Sequence, residues 1–328
     1  MDYPIRAGLD APRRPPQDTG KFHLLMARPQ WPVRSGTILA PMALYQFTRP
    51  VDFVTPVVVA ALEGWVDAAG AATSALEHLG DGSEVVVRFD GDELFDYRSR
   101  RPVLDVLDGK LTELSWPEIT LRHKSLEGRD VLILSGPEPD FSWQKLASEV
   151  AELAVRLRID RWISLGAIPA AVAHTRPVPS LATASESGLL GQDEQPGPEG
   201  LLRVPSAALS VIELTVSRAG IPAVGFYAQV PHYVAGPYPA ASAALVERVG
   251  RHLGLNLPLG DLADQAEAHR ARLDELVAEQ PEAREYLERL ESLSGEERLP
   301  SGDEIASELE RFLRGESSGG EGPPLDGR

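Results

Sequence analysis

The feature that most constrains the fold is a repeated order of strand-like segments, short loops and helix-forming segments. Val57–Leu62 is a short apolar run rich in β-branched residues, which is typical of a strand buried on both faces of a sheet. The loop Glu63–Asp67 follows, and then the Ala-rich segment Ala68–Leu79, whose composition favours a helix. Glu84–Phe89 is the next predicted strand, so the four segments together predict a β-α-β unit.

The same order returns further along the chain. Asp130–Ser135 is a predicted strand, Gly136–Asp140 is its loop, and Trp143–Leu157 is a predicted helix with apolar residues three and four positions apart. The later segments are two more strands and two more helices, Arg161–Leu165, Ala207–Ala219, Pro222–Tyr227 and Ala240–Leu253. Repeated β-α-β units predict an α/β domain with a mainly parallel sheet flanked by helices.

Composition divides the chain into four predicted segments. Residues 1–40 are rich in Pro, Arg and Gly, and we expect a disordered extension there. Residues 41–258 contain the predicted α/β domain. Residues 259–314 are highly charged with leucines at heptad-like intervals, so they are predicted to form a helical extension that breaks near Gln280 and Pro281. Residues 315–328 are rich in Gly, Ser and Pro, and we expect a disordered tail.

Composition and charge also exclude several classes of function. The chain has no cysteine, which removes disulfides, thiolate metal sites and cysteine nucleophiles. Its net charge of −17 should repel nucleic acids and anionic lipids, so we expect neither as a partner. We expect no secretory signal, because residues 1–20 lack its continuous apolar stretch, and no apolar window is long enough to span a bilayer, so a cytoplasmic location is expected.

Familiar catalytic and cofactor motifs are missing from the sequence. It contains no G-x-x-x-x-G-K-[ST] loop, no G-x-G-x-x-G after the first strand, no G-x-S-x-G turn between a predicted strand and a predicted helix, and no H-E-x-x-H helix. We therefore expect no cofactor and no metal ion. The sequence favours an interaction protein over an enzyme.

Any ligand site is expected beyond the carboxyl ends of the strands, where open parallel sheets bind their ligands. The loops predicted to lie there carry acidic, basic and aromatic residues. These candidate ligand-binding residues are Glu63, Trp65, Asp67, Glu138, Asp140, His174, Arg176, His232 and Tyr233.

Each candidate also has a structural interpretation. Asp67 directly precedes a predicted helix, and a helix cap is favoured over a carboxylate aimed into a cleft. Glu138 and Asp140 suit acid–base chemistry, but they equally suit a turn whose acidic residues stabilise the start of a helix. His174 and Arg176 together suit an anion. A metal site using His174 and His232 lacks supporting ligand spacing, so hydrogen-bonded loop histidines are favoured.

Arg98, Arg100 and Arg101 form the main basic cluster of the predicted domain. They suit a bound phosphate or carboxylate. Pairing with the acidic residues just upstream, at a contact between subunits, is the favoured interpretation.

Five sequence motifs occur in order over about 200 residues, between residues 41 and 258. They are EGWVDAAGAATSALEHL (63–79), FDYRSRRP (95–102), LILSGPEPDFSWQKLASEVAEL (132–153), LGAIPAAVAHTRPVP (165–179) and VPHYVAGPYPAASAAL (230–245). Together they resemble the PAC2 (proteasome assembly chaperone) family, in its actinobacterial branch. The helical segment 299–313 is similar to an extension seen in that branch.

The resemblance implies a phosphorylase/hydrolase-like α/β fold, a tendency to form trimers and kinship with chaperones that help proteasome rings assemble. It implies no catalytic residues. The leading hypothesis is therefore a non-catalytic, homo-oligomeric interaction protein connected with proteasome assembly and its subunits. The alternative is a nucleoside phosphorylase- or hydrolase-like enzyme, or a small-ligand binder, that uses the strand-end loops.

Overall fold

The computed structural model describes residues 43–198 and 200–293, and it confirms an α/β architecture. Its strands are β1 (Tyr45–Phe47), β2 (Val57–Glu63), β3 (Glu84–Phe89), β4 (Val103–Leu107), β5 (Lys110–Ser115), β6 (Thr120–Leu126), β7 (Arg129–Pro137), β8 (Arg161–Ala170), β9 (Ser180–Ala184) and β10 (Ala223–Pro231). Its helices are α1 (Ala71–Gly80), α2 (Gly91–Leu94), α3 (Trp143–Arg156), α4 (Ala208–Arg218), α5 (Pro239–Leu253), α6 (Asp261–Ala278) and α7 (Pro281–Leu293). The expected disordered segments, 1–40 and 315–328, and the last predicted helix lie outside the described residues.

Eight of the described strands form one sheet in the order β1-β3-β6-β7-β2-β8-β10-β9. The four central strands, β7, β2, β8 and β10, pair in parallel, as the sequence predicts. The outer strands pair antiparallel with their neighbours. The prediction of a mainly parallel sheet flanked by helices is therefore confirmed at the centre of the sheet.

Two apolar layers hold the helices against the sheet. One face packs against α3 and α4 through residues that include Leu132, Trp162 and Ile212. The other face packs against α1 and α5 through residues that include Ile163 and Phe226. Burying one such side chain stabilises the fold by about 1.5–3 kcal/mol, so the two layers together supply most of the driving force for folding.

The two strands of the first predicted β-α-β unit, β2 and β3, are not adjacent in the sheet. β3 does not lie beside β2, because β6 and β7 pair antiparallel and occupy the space between them. β6 has the mostly polar sequence TLRHKSL, in which only Thr120 and Leu121 are buried, so an apolar pattern does not reveal it. Strand order here depends on pairing between distant segments.

The C-terminal helices that the sequence predicts are present. α6 and α7 follow α5, and the break between them falls at Glu279 and Gln280, next to the predicted position. α6 packs along α5 and buries Leu262 in the layer that α1 and α5 form. No helix among the described residues is long and apolar enough to cross a membrane.

A β-hairpin formed by β4 and β5 stands apart from the main sheet. All eleven of its strand residues are exposed. Asp108 and Gly109 form its turn with φ values of 51° and 75°, as a two-residue hairpin turn requires. The hairpin and the residue that follows it carry several exposed large apolar side chains, Val103, Leu104, Val106, Leu107, Leu111, Leu114 and Trp116.

Candidate functional site

The parallel strands bring the predicted site residues to one edge of the sheet. β2, β7, β8 and β10 run in the same direction, so the loops that follow them lie at the same edge. Every candidate ligand-binding residue is in one of those loops or at a strand end. Their hydrogen bonds, however, divide them into two groups with different structural roles.

Glu138 is the centre of the first group. Its Oε1 accepts a hydrogen bond from the N–H of Ala208, the first residue of α4, at 2.7 Å. Its Oε2 accepts from the N–H of Trp65 at 3.2 Å, and its own N–H donates to the carbonyl of Glu63 at 2.8 Å. A carboxylate at this position satisfies free N–H groups and interacts favourably with the α4 dipole. Glu138 therefore joins the loops after β2 and β7 to α4.

Gly64 makes this contact geometrically feasible. A Cβ atom at Gly64 would lie 2.6 Å from the Cβ and 2.6 Å from the Oε2 of Glu138. Any larger residue would displace the Glu138 side chain from the start of α4. Glycine is therefore required at position 64 for steric reasons, because of the close approach of Glu138, and not because of the backbone conformation of a turn.

Asp67 adopts the helix-capping role that the sequence favours. Its Oδ1 accepts from the N–H groups of Ala72 and Thr73 at 2.8 and 3.2 Å, and its Oδ2 accepts from the Thr73 hydroxyl at 2.6 Å. Ala68–Gly70 forms a 3-10 turn between Asp67 and α1, so the carboxylate reaches past that turn. Burial raises the pKa of Asp67 above its ordinary value, although the bonds from Thr73 and Ala72 act in the opposite direction.

The remaining members of this group face solvent. Trp65 is exposed over 42% of its surface. Asp140 is also exposed, and its Oδ2 accepts from the N–H of Asp96 at 2.8 Å. Arg100 forms an ion pair with Glu63 at 3.3 Å instead of with an upstream acidic residue.

The upstream acidic residues have other partners within the chain. Asp92 accepts from the Tyr97 hydroxyl at 2.8 Å, and Glu93 pairs with Lys145 at 2.5 Å. Arg98 and Arg101 are exposed, and neither forms an ion pair within residues 43–198 and 200–293. The expected pairing of the basic cluster with those acidic residues therefore does not occur within one copy.

The second group attaches the C-terminal helices to the sheet edge. The buried ring of His174 contacts the Tyr233 hydroxyl at 2.7 Å through Nδ1 and Asp274 of α6 at 3.2 Å through Nε2. His232 contacts the Tyr286 hydroxyl of α7 at 3.0 Å. We call these five residues the clasp.

Other contacts reinforce the clasp. The Thr175 hydroxyl donates to Glu291 at 2.5 Å, and Arg270 donates to the Thr175 carbonyl at 3.1 Å. Arg176 is exposed and lies beside these residues in sequence. The histidines therefore make hydrogen bonds in loops, as the sequence favours, and their partners include the helical extension. Among the described residues, no hydrogen bond or ion pair connects the clasp to the Glu138 group.

A third polar cluster lies between α4 and strands β8, β9 and β10, and the sequence did not predict it. Glu213 accepts a hydrogen bond from the hydroxyl of Thr183 at 3.4 Å. Its Oε2 is buried and has no hydrogen-bond partner among the described residues. Burial raises the pKa of Glu213 above its ordinary value. Burial also raises the pKa of Tyr227, and the nearby Glu213 charge adds to that effect.

A glycine signal for this cluster is present in the sequence. Gly225 interrupts an otherwise apolar strand, and an isolated strand glycine often marks close contact with another group. A Cβ at Gly225 would lie 2.6 Å from the Thr183 hydroxyl and 2.9 Å from the Tyr227 ring.

A surface groove of about 450 Å3 lies at the C-terminus of α5, away from these residues, and is lined by residues between 247 and 257. It includes none of the predicted site residues.

Comparison with known proteins identifies relatives that match most of this chain. A family model described as the PAC2 family matches residues 61–277. A Mycobacterium tuberculosis protein of unknown function is 35% identical, with 78% of this chain and 92% of that chain covered and a TM-score of 0.71. A comparison with curated proteins gives no match.

Two further solved structures are of proteins described by a relation to the proteasome. A Mycobacterium tuberculosis proteasome-assembly chaperone homologue is 38% identical, covers 70% of this chain and 99% of its own, and has a TM-score of 0.65. An archaeal proteasome activator from Pyrococcus furiosus is 14% identical, covers 71% of this chain and 97% of its own, and has a TM-score of 0.55. At that lower identity the likeness shows the fold alone.

Proposed function

The chain belongs to the PAC2 family, and from that premise we propose that it is a homo-oligomeric, non-catalytic interaction protein connected with proteasome assembly. The connection rests on the similarity to the Mycobacterium tuberculosis homologue described as a proteasome-assembly chaperone. A cytoplasmic location and a trimeric state, both expected from the sequence, belong to the same proposal.

The observation that carries the proposal is the exposed hairpin of β4 and β5. A two-stranded hairpin is marginally stable in water unless it packs against other structure. This one exposes Leu104 over 46% and Leu111 over 73% of their surfaces. A contiguous exposed apolar surface of this kind marks a protein–protein contact. A second copy of the chain is the partner that we propose for it.

The occupied carboxylates favour this function over the enzymatic alternative. Acid–base catalysis needs carboxyl groups that are free to exchange protons with a substrate. Both oxygens of Glu138 and both oxygens of Asp67 accept hydrogen bonds, and all but one of these come from backbone N–H groups. These two residues therefore stabilise helices and loops, and His174 stabilises the attachment of α6.

Oligomerisation is tested by the mass of the full-length chain in solution. Light scattering coupled to size exclusion should give a multiple of 35.5 kDa for the natural protein. The double variant Leu104→Asp with Leu114→Asp should run as the monomer, because charges at these positions would have to be desolvated in the contact. Leu214→Asp is the matched control, since Leu214 is 52% exposed on α4, away from the hairpin.

The proteasome connection needs its own test. Purified proteasome subunits from the source organism should assemble into rings faster when the natural chain is present, and the monomeric hairpin variant should lose this effect.

A natural chain that stays at 35.5 kDa at micromolar concentration would refute the oligomer. Unchanged assembly kinetics, together with no binding to any purified proteasome subunit, would refute the connection.

A further inference from the structure

The exposed hairpin carries an unfavourable charge pair in the single copy. Asp105 of β4 lies directly opposite Glu113 of β5, and both are exposed. Like charges directly opposite each other on neighbouring strands destabilise a hairpin. Neither carboxylate forms an ion pair within the described residues, and Lys110 lies at the turn, opposite Leu107.

Two cations without a partner lie at the base of the same hairpin. Arg98 and Arg101 are exposed and form no ion pair in the part of the chain that the structure describes, whereas Arg100 pairs with Glu63. Arg101 precedes Asp105 by four residues, which separates them by about 13 Å along an extended chain. The cations and the acidic pair of one copy are therefore too far apart along the strand to neutralise each other.

The two faces of the hairpin have different chemistry. Leu104 and Leu114 are opposite each other on one face, and Asp105 and Glu113 are opposite each other on the other face, because successive strand residues alternate. The face with Asp105 and Glu113 also carries the exposed Val103 and Leu107, so a partner that stabilises this hairpin supplies apolar surface and a cation beside the acidic pair. The chain itself has both in exposed positions.

We propose that Arg98 and Arg101 of one copy bind the Asp105–Glu113 pair of a neighbouring copy, so that each contact joins two different parts of the same chain. The inference rests on the proposed oligomer and specifies which charges hold it in register. Guanidinium groups fit this role because they bind carboxylates through two parallel hydrogen bonds. The contact supplies the cation that the acidic pair lacks in a single copy.

Charge reversal tests the assignment directly. Changing both acidic residues to lysine (Asp105→Lys, Glu113→Lys) puts four like charges in the contact and should raise the dissociation constant of the oligomer about tenfold or more. Changing both arginines to glutamate (Arg98→Glu, Arg101→Glu) should weaken it to a similar extent. The combined quadruple variant restores opposite charges and should return the dissociation constant to within about threefold of the natural value.

A control variant separates the contact from the effect of net charge. Asp264→Lys with Glu267→Lys changes the net charge by the same amount on the exposed side of α6 and should leave assembly unchanged. Analytical ultracentrifugation of all five full-length proteins at low and high salt measures each constant. Circular dichroism confirms that each variant is folded.

The possible results distinguish the two proposals. A natural oligomer that both reversed variants leave unaffected would overturn the charge assignment and leave the proposed function standing. A quadruple variant that is as weak as either double variant would also overturn it. A natural chain that is monomeric would instead overturn the proposed oligomer.

Discussion

The attachment of the C-terminal helices should weaken in acid because of one histidine on α6. The Nδ1 atom of His269 is buried and has no hydrogen-bond partner among the described residues. Its ring lies against Tyr238 at 5.8 Å between centroids. Burial, followed by the charges of Arg272 and His174, lowers the pKa of His269 below its ordinary value. Protonation of Nδ1 in the attached state would create a buried N–H group without an acceptor.

The sign of the pH effect follows from that lowered pKa. The attached state binds the proton less tightly than the detached state, so attachment is strongest above the free pKa of about 6.5 and weakens as the pH falls below it. If His269 stays neutral in the attached state, the equilibrium for attachment falls about 25-fold between pH 7 and pH 5. That is an upper limit for one proton.

The neighbouring side chains that hold these helices have hydrogen-bond partners. His174 has a partner on each ring nitrogen, with Tyr233 on one side and Asp274 on the other. Arg270 donates to the Thr175 carbonyl, a neutral acceptor. Among the described residues of this interface, His269 is therefore the histidine with a buried ring nitrogen that lacks a hydrogen-bond partner.

Hydrogen exchange measured by mass spectrometry tests the effect. Protection of α6 and α7, corrected for the intrinsic pH dependence of exchange, is compared with that of α3 in the same molecule. The natural chain should lose protection in α6 up to about 25-fold between pH 7 and pH 5. His269→Gln should flatten this profile, and the control His123→Gln, on β6, should retain it. Constant protection of α6 in the natural chain would refute the argument.

Three substitutions test the contacts at the sheet edge and in the core, each by chemical denaturation. Glu213→Gln should stabilise the protein by about 1–2 kcal/mol at pH 7, because the raised pKa of Glu213 means that folding disfavours its ionised form. The gain should shrink as the pH falls toward about 4.3. A loss of stability at pH 7 would contradict this reasoning. Glu138→Ala should destabilise by about 1–2 kcal/mol, since it leaves the N–H groups of Ala208 and Trp65 without an acceptor, and an unchanged midpoint would show that water replaces the carboxylate. Gly136→Ala should lower the free energy of unfolding by about 2 kcal/mol or more. Gly136 has a φ of 151°, and the added Cβ atom would lie 2.4 Å from the Glu118 carbonyl oxygen. A smaller loss of stability would mean that β7 shifts to make room.

Local sequence patterns predicted the elements that lie at the centre of the molecule. The β-branched run Val57–Leu62 is fully buried in β2, and the acidic residue placed before α1 caps that helix. These predictions succeed because a buried strand needs apolar residues on both faces, and a helix start needs an acceptor for its free N–H groups. Both requirements involve only a few neighbouring residues.

The hairpin of β4 and β5 shows a signal that was present in the sequence and was not used. Asp108-Gly109 between alternating apolar residues is a strong indication of a two-residue hairpin turn. The turn is therefore readable from the sequence. The position of the hairpin outside the sheet, with every strand residue exposed, is not readable from the sequence, because it depends on whether other segments of the chain pack against it.

The candidate site shows the same division. The sequence placed the acidic and histidine-containing loops at one edge of the sheet, and the parallel strands confirm that placement. It did not show that Glu138 reaches α4 or that His174 and His232 reach α6 and α7, since those partners lie 50 or more residues away.

The sequence by itself determined the central strands, their parallel direction and the long helices that flank them, because hydrophobic periodicity and end-capping are properties of short stretches of chain. Only the tertiary structure decided the strand order, the separation of the candidate residues into two groups and the exposure of the hairpin. These features depend on which distant segments pack together and exclude water, and the local sequence pattern does not contain that information.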